Sequence, residues 1–99
     1  MATTKTKPYD SAAYLETAED VALYLEEAFA DGDPALIAHA LGVAARANGM
    51  TEIAKRAKLS RESLYRALSK DGNPELSTLI AVLHALGLRL AVEPASTGV

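Results

Sequence analysis

Arg61, Glu62, Tyr65 and Arg66 recur at i, i+1, i+4 and i+5, which on a helix places two guanidiniums, a carboxylate and a phenol toward one outer side. These groups suit the edges of base pairs. A guanidinium presents two parallel donors that match guanine, and a carboxylate accepts from the amino group of cytosine. Ser63, between them, can contact a base or a phosphate. The flanking residues add charge without sequence information. Lys55, Arg56, Lys70, Arg46 and the Thr51 hydroxyl are candidates for phosphate contacts, and so is the helix start at Ser60, whose amide dipole would face phosphate. From Arg46 to Lys70 the chain holds seven Lys/Arg and two acids, a local balance of +5 within a total of −3. Taken together, this is the electrostatic footprint of a nucleic-acid reader.

Positioning such a surface takes two short helices and a tight turn, so that one helix lies in a groove while the other braces it. Residues 50–70 fit that plan. The spacing predicts a helix over 52–57 capped by Thr51, a turn at Lys58-Leu59, and a second helix capped by Ser60 from Arg61 to about Lys70. Ala54 is small enough for the crossing point. Ile53, Ala57, Leu59, Leu64 and Ala67 are the apolar residues that would lock the pair. The turn carries Lys58 where such turns often carry Gly, so a left-handed conformation there would be strained by about 1 kcal/mol.

Helices on either side complete the plan. Thr17 and Asp20 have the spacing of a capping box. Val21, Tyr24, Leu25, Ala28 and Phe29 then form an apolar stripe that Gly32 ends. Asp33-Pro34 starts a second helix, with Leu36, Ile37, Ala40, Leu41 and Ala44 on its apolar face and a stop at Asn48-Gly49. After the Asp71–Pro74 loop, Ser77 caps a fifth helix that runs through Leu86 and ends at Gly87. It is apolar nearly all round, so it is either central to the core or shared with a second copy. Asp10 to Leu15 fit one short turn capped by Asp10. Residues 88–93 alternate imperfectly and read either as a strand that pairs with the same strand of a second copy, or as an extended tail packed on the surface. Leu83, Leu86, Leu88 and Leu90 are the candidates for that dimer contact.

The 99 residues make one all-α domain over 9–93, between flexible tails at 1–8 and 94–99. With no cysteine, disulfides and thiol catalysis are excluded and a reducing cytoplasm fits. The longest strongly apolar run, Leu79 to Leu83, is too short for a bilayer, and the polar N-terminus has no signal-peptide core. His39 and His84 stand far apart, without metal spacing. No Gly-rich phosphate loop follows a strand, and the carboxylates occupy capping or exposed positions, so neither an enzyme nor a cofactor is expected. Residues 9–33 hold eight acids and no Lys or Arg. They fit either ordinary solvent faces or a surface for a basic partner.

At this point the chain resembles known proteins. Its middle is similar to Xre/Cro-type helix-turn-helix proteins, whose five-helix domain packs a helix like Ser77–Leu86 behind the motif. More narrowly, it resembles HigA-type addiction module antidotes. The likeness lies in Tyr-Asp-Ser-Ala-Ala-Tyr-Leu at 9–15, Ala-Leu-Gly-Val-Ala-Ala-Arg-Ala-Asn-Gly-Met at 40–50, Leu-Ser-Arg-Glu-Ser-Leu-Tyr-Arg-Ala-Leu at 59–68 and Ala-Leu-Gly-Leu-Arg-Leu at 85–90. The resemblance implies a cytoplasmic antitoxin that neutralises a small basic HigB/RelE-like toxin, a ribosome-dependent mRNA endonuclease, and that represses its own operator DNA as a homodimer. A toxin that binds RNA is basic, so Glu19, Asp20, Glu26 and Glu27 become candidates for its contact. Two further readings stay open: a stand-alone Xre-family repressor without a toxin partner, and an interaction module whose motif has lost DNA binding.

Overall fold

The computed structural model describes residues 15–69, 71 and 73–95. The expected turn at Asp10–Leu15, apart from Leu15 itself, lies outside them, as do the 1–8 tail, Lys70 and residues 96–99. Five helices follow in order: α1 Ala18–Asp31, α2 Pro34–Ala47, α3 Met50–Ala57, α4 Arg61–Ala67 and α5 Leu76–Ala85. The fold is all-α, as expected. Among the described residues no strand forms, and 88–95 run without regular structure. An isolated strand has no partner for its backbone groups, so nothing within one copy of the chain holds 88–93 in a ladder.

Most helix ends follow the local chemistry. The Thr17 hydroxyl accepts from the Asp20 amide at 3.0 Å, and Asp33 accepts from the Ala35 amide at 3.0 Å with Pro34 in the first turn. Gly32, at φ 82°, closes α1. Two starts differ from expectation. α3 begins at Met50, two residues earlier than a Thr51 cap would allow, because Gly49 takes the cap: it has φ 94°, and its carbonyl accepts from Ile53 at 2.9 Å. α5 begins at Leu76 because the Glu75 carbonyl accepts from Leu79 at 2.9 Å, which leaves Ser77 inside the first turn. At its other end α4 stops at Ala67 with Leu68 as cap, short of Lys70.

The helices enclose one core. Val21, Leu41, Ile53, Leu64 and Val82 are its largest fully buried side chains, one from each helix. α3 packs mainly on α5, and α1 on α2. α5 therefore spends most of its apolar surface inside this chain. Leu83 and Leu86 are 3% and 8% exposed, so they leave the expected dimer contact: surface already buried in the monomer cannot be buried again against a second copy. Leu36 departs in the other direction, 41% exposed at the edge of the α2 stripe. Gly42 marks a close approach, because a Cβ there would sit 3.0 Å from the Leu68 carbonyl oxygen just past α4.

α3 and α5 end in the same hydrogen-bond pattern. The Leu59 amide donates to Ala54 at 2.9 Å and the Lys58 amide to Lys55 at 3.1 Å; the Leu88 amide donates to Leu83 at 2.8 Å and the Gly87 amide to His84 at 2.9 Å. The left-handed residue is Gly87 in α5 (φ 83°) and Lys58 in α3 (φ 62°). The turn thus takes the left-handed helix cap with Lys58 where α5 has Gly87, and the side chain carries the strain that glycine avoids. Lys58→Gly is expected to relieve it and to raise stability by up to about 0.6 kcal/mol, once the extra unfolded-state freedom of glycine is subtracted from a strain of about 1 kcal/mol. A higher thermal midpoint is the readout; an unchanged or lower one would show that the Lys58 stem makes compensating contacts.

Candidate nucleic-acid interface

α3 and α4 form a helical hairpin joined by Lys58, Leu59 and Ser60. Only the inner side of each helix is committed to packing. Met50, Ile53, Ala54 and Ala57 are buried on α3, Leu64 is buried on α4, and Leu68 follows it just past the helix. Leu59 and Ala67 are half-buried. Ser60 opens α4, its Oγ accepting from the Ser63 amide at 3.0 Å and donating to the Ser63 Oγ at 2.9 Å. Ser63 is therefore occupied in the cap and half-buried, less available to a base than its four neighbours.

Those neighbours, Arg61, Glu62, Tyr65 and Arg66, are all exposed. Tyr65 is 42% exposed, a large ring left at the surface of a seven-residue helix. The Arg61 guanidinium lies 5.4 Å from the centre of that ring and donates to its hydroxyl at 3.2 Å. Cation and ring are held together by the attraction of a guanidinium for an aromatic face. The four-residue spacing was the sequence signal for this pair.

The basic residues around the hairpin fall into two groups. Lys55 is exposed on α3, as is Thr51 in its first turn. Arg56 is engaged twice: its Nε donates to Glu52 at 3.0 Å, and its NH1 to the Ala85 carbonyl in the last turn of α5 at 3.3 Å. It thus pins the hairpin to α5, a tertiary role that sequence spacing cannot show. The Arg46 guanidinium lies 3.4 Å from where a Gly42 Cβ would be. It is also close enough to Tyr24 to act on that phenol, whose pKa burial pushes up and the Arg46 charge partly pulls back down.

The acids of α1 do not form one cluster. Glu19 and Glu26 line a groove between α1 and residues 88–93. Glu27 stands beside a separate hollow with Tyr24, Asp31 and Leu36. Asp20 is half-buried in the first turn. Of the two leucines left for a dimer contact, Leu88 is half-buried and Leu90 is 40% exposed, and both line that same groove. Sequence reasoning missed Leu23, 67% exposed between Glu19 and Glu26, because it falls outside the core stripe. Among the described residues, no group of three or more His, Cys, Asp or Glu could hold a metal ion, and no helix is long and apolar enough to cross a membrane.

Comparison with known proteins now bears on this arrangement. Residues 5–94 match the family model described as "probable addiction module antidote protein". A protein of Haemophilus influenzae, described only as uncharacterized, is 43% identical over 91 residues, which cover 92% of this chain and 94% of that one. No solved structure matches. A family match over nearly the whole chain, joined by so similar a relative, decides membership: the chain belongs to the family of probable addiction module antidote proteins.

Proposed function

We propose that this protein is the antitoxin of a type II toxin–antitoxin module. It neutralises a basic HigB/RelE-like toxin in the cytoplasm and, as a homodimer with a helix-turn-helix of the Xre/Cro type, represses its own operator. Membership of an antidote family supports the first half, since an antidote has a toxin as its partner. The observation that carries the second half is the outer side of α4, where Arg61, Tyr65 and Arg66 stand clear of the core on a helix held by a three-residue turn. In such a hairpin the second helix enters the major groove, with Arg61, Glu62, Tyr65 and Arg66 at base edges. Lys55, Thr51 and the start of α4 lie toward the backbone. Arg56 and Arg46 contribute charge nearby while remaining tied to the fold. The family match favours an antitoxin over a stand-alone repressor.

The experiment is a band shift on the DNA upstream of the gene, run as a salt series. Specific binding whose logarithm falls linearly with log salt, with a slope of about −0.9 per neutralised phosphate, is the expected result. Equal affinity for upstream and unrelated DNA at every salt would reject operator recognition.

A further inference from the structure

The groove between α1 and residues 88–93 has a volume of about 570 Å³ and an apolar floor that includes Phe29 and Leu88. Two large side chains beside it are left to solvent, Leu23 at 67% and Leu90 at 40%. Val92, on the same terminal segment, is 97% exposed. Exposed apolar surface gathered around one concavity marks a contact site rather than chance scatter. The rim is charged: Glu19, Glu26 and Glu93 face a single cation, Arg89. Past the Leu88 amide, residues 89–95 make no backbone-to-backbone hydrogen bond among the described residues, so one wall of the groove is an open edge.

We propose that this groove is the docking site for a basic, amphipathic segment of the toxin, with apolar side chains on the floor and Lys or Arg against Glu19, Glu26 and Glu93. The proposal rests on the antitoxin reading and deepens it by naming the surface. Charge decides the occupant, and takes Leu88 and Leu90 away from the expected dimer contact. A second copy seated by two-fold symmetry would bring three carboxylates and one guanidinium against the same set, an acidic face on an acidic face. A basic segment meets complementary potential, which also speeds encounter. The groove further divides the acids: Glu19 and Glu26 belong to it, while Glu27 belongs to the hollow lined by Leu36.

The test uses the full chain co-expressed with the protein encoded by the adjacent reading frame, which serves as the probe. Association and dissociation are followed at two salt concentrations. Wild type should bind, more weakly as salt rises. Glu19→Lys/Glu26→Lys should slow association by about tenfold or more at low salt, and Leu23→Ser should speed dissociation. Glu27→Lys/Leu36→Ser, on the other hollow, should bind as wild type does. All altered positions are exposed, and circular dichroism of each variant checks that the helices persist. Failure of the wild-type chain to bind would remove the antitoxin reading and the groove with it. Wild-type binding with unaltered kinetics in the groove variants would overturn the groove alone. A shift from dimer to monomer in those variants, with probe binding intact, would give the groove to a second copy and also overturn the proposal.

Discussion

Leu64→Ala is expected to cost the fold about 2–5 kcal/mol, the largest loss from any single truncation on α4. Leu64 is the one buried residue within that helix and is fully enclosed. Removing three carbons there loses their transfer free energy and leaves a void lined by neighbours from other helices, which cannot all close in at once. The stake is high because α4 is only seven residues long. A helix that short has little stability of its own and depends on its packed side. With Leu64 gone, Leu68 and the half-buried Ala67 would hold it only weakly, and the outer side chains would no longer be held in one orientation. Denaturant unfolding measures the cost, and DNA binding should weaken along with it. Tyr65→Ala, which removes a larger but half-exposed side chain, should cost much less stability. A loss below about 1 kcal/mol for Leu64→Ala would mean that α4 is seated by something other than its apolar side.

Arg66→Ala should behave in the opposite way, with an intact fold and weakened operator binding by about 1–3 kcal/mol. Arg66 is exposed, and among the described residues its side chain makes no hydrogen bond or ion pair, so truncation removes little from the folded state. Its free guanidinium can meet a guanine edge without first breaking an internal contact. Arg61 differs because it is already held by the Tyr65 hydroxyl and ring. It must give up that pair to reach a base, or carry the ring with it, so Arg61→Ala should cost less than Arg66→Ala. Lys55→Ala should weaken all DNA sequences alike and lower the salt slope by about 1. Binding curves for the three variants on operator and unrelated DNA separate these outcomes. Unchanged affinity for both Arg61→Ala and Arg66→Ala would reject this face as the reader.

Charge separation, the five helices and most of their ends were legible in the residues, because caps and amphipathic stripes act over three or four positions. Thr17, Asp33-Pro34, Gly32, Ser60 and Gly87 each satisfy or close a helix end through atoms a turn away. The starts at Thr51 and Ser77 were misplaced because two neighbouring groups competed for one role, and backbone geometry at Gly49 and Glu75 settled it. What only the tertiary structure decided involves residues far apart in sequence. Arg56 reaches the Ala85 carbonyl 29 positions away. Leu83 and Leu86 turn inward and are buried among the residues of one copy. Glu26 and Glu27, adjacent in the chain, face different hollows, since one helical step turns the side chain by about 100°. The sequence by itself determined which residues are cationic, acidic or apolar and where most of the helices are capped. Which of them reach solvent together depended on what each helix covers, and that is settled only when all five pack around one core.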